Sequence, residues 1–268
     1  MLRDITIGQY LSGSSVVHRL DPRTKITVVG VFMIVLFTAI NAQAYVVLVG
    51  FAVLSVVLAE VPPRMLFRGL RPVLFLLMLT FALQLFLTRG HVLFTLGPLV
   101  ATWEGLRQGI FMVLRLLLLL VMASLLTLTT SPVSLTDGLE AILGPFRFVG
   151  VPAHELAMMM TIALRFIPTL MEEADKIMKA QMARGADFES GNPIRRARSL
   201  IPLLVPLFVS AFRRADELAT AMESRCYRGG HKRTRLHRLR ATGLDAYAAA
   251  VTAGMALIVI GLRWWIPL

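Results

Sequence analysis

Residues 105–130 read GLRQGIFMVLRLLLLLVMASLLTLTT, and the whole stretch carries only two charges, Arg107 and Arg115. As an α-helix it would be about 39 Å long, enough to cross the roughly 30 Å hydrocarbon core of a bilayer. It has no proline and no regular alternation of apolar with polar side chains, so a strand or a half-buried surface helix accounts for it poorly. A transmembrane helix is the reading that fits.

Working toward the N-terminus, a second such run lies at about 72–87 and a third from Ala44 to Ala59. Asn41-Ala42-Gln43 separates the third from an apolar helix running from Lys25 to about Ile40. Asp21-Pro22 looks like the start of that helix, with the carboxylate accepting from first-turn amides and proline at the first position, where no donor is lost. Toward the C-terminus, Gly243 to Leu262 is apolar again and is followed by Trp264 and Trp265, residues suited to a membrane–water interface. The expected fold is an all-α integral membrane protein with about five spans. Between the runs at 72–87 and 105–130, Val92–Leu96 and Leu99–Trp103 flank Gly97-Pro98 and predict a small hairpin on the membrane surface.

Composition agrees. Of 268 residues, 56% are hydrophobic and 16% charged, and the mean hydropathy is +0.71. The net charge of +12 would suit a nucleic-acid-binding protein, but such proteins do not interleave their charge with runs of bilayer length, so no nucleic-acid partner is expected. A single cysteine, Cys226, excludes a disulfide framework within the chain and a cysteine-rich metal site. Residues 1–25 hold no apolar stretch that could act as a cleavable signal, which leaves targeting to the first span.

The charge is concentrated. Ser131 to Thr242 holds 17 of the 28 Lys and Arg and 11 of the 16 Asp and Glu. Basic residues also cluster up to Lys25 and in the cytoplasmic loop expected at 60–71, whereas the turn at 41–43 has none. The positive-inside rule therefore puts the N-terminus and the long segment in the cytoplasm of a plasma-membrane protein. His231 to Arg240 is polybasic and suits contact with anionic lipid of the bilayer.

Within the long segment two amphipathic helices are predicted, one opened by Pro152 and one by Asn192-Pro193. Their first halves are apolar nearly all round, and Pro168, Pro202 and Pro206 would bend them. The first ends in Met182-Ala183-Arg184-Gly185; the second, 41 residues on, ends in Glu223-Ser224-Arg225-Cys226. An arginine in a last turn complements the helix dipole and glycine commonly terminates a helix. Two copies at corresponding places also fit a second role, in which small neighbours let a partner's groove close around a guanidinium.

Catalytic signatures are missing. The chain has no Gly-Lys dipeptide, hence no phosphate-binding loop of the usual ATPase form. Leu11-Ser12-Gly13-Ser14-Ser15 reads as a turn before a span. His154-Glu155 is followed at the fourth position by Met158 and not by a second histidine, so the zinc-protease pattern fails. No catalytic, cofactor or metal residues are assigned. Two alternatives stay open: a membrane enzyme using Glu172, Glu173, His154 or Arg115, and an ion-coupled permease, for which Arg115 is the main ionisable group at membrane depth.

Several strings together resemble one family: Gln9-Tyr10, His18-Arg19-Leu20-Asp21-Pro22-Arg23-Thr24-Lys25, Leu126-Thr127-Leu128-Thr129-Thr130-Ser131-Pro132, Ala163-Leu164-Arg165-Phe166-Ile167-Pro168, Ala180-Gln181-Met182-Ala183-Arg184-Gly185-Ala186, and Arg213-Arg214-Ala215-Asp216-Glu217-Leu218-Ala219. In order and in topological place they resemble the transmembrane T component of energy-coupling factor (ECF) transporters, over essentially the whole chain. They look more like the version shared among several substrate-binding proteins than like the cobalt or nickel version.

The resemblance implies a non-catalytic scaffold that transmits motion from two ABC-type ATPases to a small membrane S component binding a vitamin or other micronutrient. ATP and Mg2+ would be bound by the ATPases and no cofactor by this chain. It further implies that Ala183-Arg184-Gly185 and, less faithfully, Ser224-Arg225-Cys226 form the ATPase interface. Met158, Met159, Met160, Met178, Met182 and Met222 would offer a pliable surface to the S component. The implied organisation is a membrane domain at 1–130 with four spans, a cytoplasmic coupling-helix region at 131–242, and a final transmembrane helix at 243–268.

Overall fold

The computed structural model describes residues 10–96, 99–186, 188, 192, 194, 198–229 and 239–265. Its helices are α1 (Val16–Arg19), α2 (Pro22–Thr38), α3 (Ala42–Ala59), α4 (Pro63–Leu87), α5 (Trp103–Thr129), α6 (Pro132–Leu143), α7 (Ala153–Ala183), α8 (Ile201–Ser224) and α9 (Gly243–Trp265), with a two-stranded hairpin, β1 (Val92–Leu96) and β2 (Leu99–Thr102), before α5 and a 3-10 turn (Gly144–Val149) before α7. Packing divides the chain into two compact units, one drawn from Gly8–Leu139 and Arg238–Leu268, the other from Glu140–His237.

In the first unit, α3, α4, α5 and α9 are the described helices long and apolar enough to cross a membrane. The first expected span, α2, has 17 residues, about 26 Å of helix and near the short limit for crossing. It belongs to the same core nonetheless. Phe32 and Leu36 of α2, Leu48 of α3, Met122 of α5 and Val259 of α9 meet in one cluster, each 1% exposed or less.

The outer faces are equally apolar: Val46, Phe67, Phe75 and Met78 are at least two-thirds exposed. In water that surface would cost roughly 25 cal/mol per Å²; against lipid the cost vanishes. Hydroxyls on these helices bond back to the carbonyl four residues earlier, as Ser55 to Phe51, Thr80 to Leu76, Thr127 to Ala123 and Thr252 to Ala248. Each thus enters hydrocarbon with its donor satisfied.

The expected start of α2 holds: Asp21 accepts from the Arg23 amide at 2.9 Å, and Pro22 occupies the first turn. The expected loop at 60–71 does not. Helix α4 begins at Pro63, so Arg64, Arg68 and Arg71 are helical and Pro72 lies inside the helix. Pro63 is pre-organised for a first turn, the Met65 amide bonds the Pro62 carbonyl at 2.9 Å, and packing against α5 carries the helix past Pro72, whose missing donor costs a single ladder bond. The hairpin forms with antiparallel pairing and an irregular register between Val92 and Phe94; its expected tip, Gly97-Pro98, lies outside the described residues. Thr102 ends it, accepting from the Gly105 amide at 3.1 Å as the cap of α5.

In the second unit α7 runs 31 residues, Ala153–Ala183, with Pro152 as its N-cap, as the apolar spacing predicts. The second amphipathic helix is described from Ile201. Its expected opening at Pro193 and most of the polybasic stretch from His231 lie outside the described residues. Pro202 falls in the first turn of α8, where no ladder donor is lost, so it does not bend the helix as expected, while Pro168 and Pro206 are interior.

Candidate functional site

The two arginine-bearing helix ends have the same backbone geometry. At the end of α7, Arg184 is the C-cap; the Gly185 amide bonds the Met182 carbonyl at 2.9 Å and the Ala186 amide bonds Gln181 at 3.0 Å. At the end of α8, Arg225 is the C-cap; the Cys226 amide bonds Glu223 at 2.8 Å and the Tyr227 amide bonds Met222 at 3.0 Å. Both are Schellman closures, in which the residue after the cap must turn left-handed. Gly185 does so at φ +88°, and Cys226 at φ +55°. Arg184 and Arg225 are exposed, and neither side chain has a hydrogen-bond or ion-pair partner among the described residues.

Helices α7 and α8 run in opposite directions. The Gln181 amide group reaches the Pro202 carbonyl, Arg214 forms a hydrogen-bonded ion pair with Glu173, and Tyr227 reaches back to His154 and Met158 in the first turns of α7. Arg184 follows Glu173 by eleven residues, and Arg225 follows Arg214 by eleven. Each arginine therefore stands about 16 Å along its own helix from the central ion pair, at opposite ends of the pair. The Glu173 carboxyl is held below the ordinary carboxylate range, first by the hydrogen bond from Arg214, then by one from Ser210 and by the charges of Arg214 and Lys176, against a smaller opposing effect of burial.

The methionines divide. Met159, Met160 and Met182 are exposed, whereas Met158, Met178 and Met222 are half-buried. Met158 accepts the Tyr227 hydroxyl at 3.0 Å, so it is committed to contacts inside this unit.

Of the ionisable groups favoured by the alternative readings, Arg115, His154 and Glu173 are engaged structurally, and Glu172 is exposed. Arg115 donates to the Tyr45 hydroxyl at 3.0 Å and to the Ala39 carbonyl at the end of α2 at 3.1 Å, and lies over Phe37. It closes the α2–α3 turn, placing a cation at a helix C-terminus. His154 bridges Glu140 and Tyr227, and Glu173 is paired to Arg214. No cluster of three or more His, Cys, Asp or Glu suited to a metal occurs among the described residues. Leu11 to Ser15 is a loop, stitched by His18 bonding Ser15 Oγ and the Leu11 carbonyl.

Sequence reasoning overlooked one buried polar node. Lys25 Nζ donates to the His18 and Thr129 carbonyls at 3.1 and 2.9 Å, while Asp245 accepts from the Asp21 amide at 2.8 Å and from the amide and hydroxyl of Thr242 at 2.7 and 2.8 Å. It ties the beginnings of α2 and α9 to the end of α5. Thr242-x-x-Asp245 before an apolar run is a capping-box spacing, which could have flagged the α9 half; nothing local in the sequence marks the Lys25 half.

Architecture and charge define a polytopic helical membrane protein with a paired amphipathic helix extension. A family model described as CbiQ, cobalt transport protein, matches residues 13–236. Proteins named energy-coupling factor transporter transmembrane protein EcfT are similar along the full length. The one from Thermosediminibacter oceani is 61% identical over 256 residues, covering 96% of this chain and 97% of its own. Those from Acidaminococcus fermentans and Bacillus subtilis are 53% and 48% identical, each over at least 98% of both chains. The chain belongs to this family of energy-coupling factor transporter transmembrane proteins.

Proposed function

We propose that this chain is the scaffold and energy-coupling subunit of an ATP-driven importer in the plasma membrane. Its N-terminus and α7–α8 pair face the cytoplasm, and the Arg184 and Arg225 ends dock into two ABC-type ATPases. The chain itself is non-catalytic, with ATP and Mg2+ held by those partners. A change in the separation of the ATPases is carried along α7 and α8 to a small membrane protein that binds a vitamin or other micronutrient. The exposed Met159, Met160 and Met182 suit contact with that protein, because thioether side chains repack at little cost.

The observation that carries this reading is the matched pair of ends. Two guanidiniums with no partner among the described residues sit at the same cap position of the same closure, equidistant from the Glu173–Arg214 pair and at opposite ends of two antiparallel helices. An arginine that served only its own helix dipole would need no such duplication. Two like partners, one at each end, account for it.

The test is co-purification of the ATPases with the parent chain and with Arg184→Glu, Arg225→Glu and the double variant. Loss of one buried charge contact costs about 2 to 5 kcal/mol of association, so each single variant retains less ATPase and the double variant none. A double variant that inserts normally and holds both ATPases as firmly as the parent overturns the assignment.

A further inference from the structure

Besides the left-handed residue itself, Gly185 in one and Cys226 in the other, the two closures differ in the side chain that follows it. After Gly185 it is Ala186, whose methyl group can make no hydrogen bond. After Cys226 it is Tyr227, whose hydroxyl lies 3.2 Å from His154 Nε2 and 3.0 Å from Met158 Sδ. His154 Nδ1 is in turn 3.0 Å from the Glu140 carboxylate, and both of those side chains are mostly buried, at 17% and 13% exposure. The chain of contacts runs from the end of α8, through the first turn of α7, to the last turns of α6.

The protons fit this path. The carboxylate of Glu140 can only accept, which fixes a proton on His154 Nδ1. The phenol has one proton, and its acceptors include Nε2 and the Met158 thioether. If Nε2 is bare the phenol donates to it; if Nε2 carries a proton the phenol accepts there and donates to sulfur. The hydroxyl keeps a partner in either state of the ring.

We infer that Tyr227, His154 and Glu140 anchor the Arg225 end of the helix pair through buried side chains, while among the described residues the Arg184 end has only its backbone closure and the exposed Gln181–Pro202 hydrogen bond, so that the two coupling ends are mechanically unequal. His154 and Tyr227 are thus positioning residues for Arg225. The geometric part stands on this chain alone; its bearing on transport rests on the proposed docking of both ends to ATPases. Displacement of the ATPase at the Arg225 end would pass directly into α6 and α7, whereas the Arg184 end follows its partner with local freedom.

The native Cys226 is the only cysteine and is exposed, so it accepts a nitroxide label beside the anchored residue without other changes. The comparison label is placed by Ala186→Cys in a Cys226→Ser background. With the full chain in lipid nanodiscs, the label at 226 is the more immobilised of the two. Tyr227→Phe, which deletes one hydroxyl, and His154→Ala each shift the balance from anchored to mobile spectrum at 226 about fivefold, the equivalent of one net hydrogen bond, and leave 186 unchanged. His154→Gln, which restores an acceptor toward Tyr227, recovers part of the anchoring. Equal loosening at both positions, or no change at 226 on Tyr227→Phe, overturns the inference. In the assembled transporter Tyr227→Phe lowers the substrate moved per ATP hydrolysed while both ATPases stay bound. Should the docking assignment fail, the spectral contrast between 226 and 186 persists without that effect.

Discussion

Cys226 occupies a backbone conformation that usually falls to glycine. A left-handed residue with a Cβ costs roughly 1 to 2 kcal/mol, and the corresponding residue at the other helix end, Gly185, escapes that cost. A methyl group at Gly185 would meet nothing within 4 Å, so Gly185→Ala tests the conformational term without steric interference. Cys226→Gly should stabilise the chain by up to about 1 kcal/mol, and Gly185→Ala should destabilise it by about the same amount. Thermal unfolding in detergent, following loss of helix, reads both. Shifts of the same sign in the two variants would show that the shared closure is not what governs them. Sequence reading could align Arg184 with Arg225 because both sit beside small residues at the end of an apolar periodicity. It could not see that Cys226 turns left-handed, because cysteine carries no such preference; the conformation is imposed by amides closing on Met222 and Glu223.

Among the helices, the apolar runs that give α3, α5 and α9 were legible because hydrocarbon selects for composition over a fixed length. Helix α6 was not. It has 12 residues, between Ser131-Pro132 and Gly144-Pro145, too short for a strong period and bounded by residues that read as loop. The pairing of α7 with α8 was also invisible, since Glu172 and Glu173 look alike as a solvated face and only the fold sets Glu173 against Arg214. That pair has a definite pH signature. Its carboxyl is held below the ordinary carboxylate range, so the folded state binds the proton less readily than the unfolded chain. The stabilisation is complete above the unfolded carboxylate pKa and is lost as pH falls through the lower folded value. The stability difference between the parent and Glu173→Gln, followed by denaturant titration, should be constant from neutral pH down to the usual carboxylate range and shrink below it. Glu173→Arg combined with Arg214→Glu should recover the parent's stability at neutral pH. A difference that grows as pH falls would reverse the assigned sign.

Over the whole molecule, orientation follows from where cations can be afforded. Seventeen of the 28 Lys and Arg lie between Ser131 and Thr242, and the uncharged turn at Asn41 instead donates its side chain to the Leu262 carbonyl near the far end of α9. The proposed topology puts that turn and the end of α9 outside, and the α7–α8 pair inside. Because Cys226 is the only cysteine and is exposed at the end of α8, the native chain already carries its own topological probe. A membrane-impermeant maleimide added to intact cells should leave it unmodified, and the same reagent applied to inverted vesicles should modify it fully. Asn41→Cys in a Cys226→Ser background should give the opposite pattern, since a reagent reaching the α2–α3 turn from outside meets no bilayer. Both thiols lie at element ends and not within spans, so failure to react marks sidedness and not burial in lipid. Modification of Cys226 in intact cells would place Arg184 and Arg225 where no cytoplasmic ATPase could reach them, and the coupling assignment would fall with the topology.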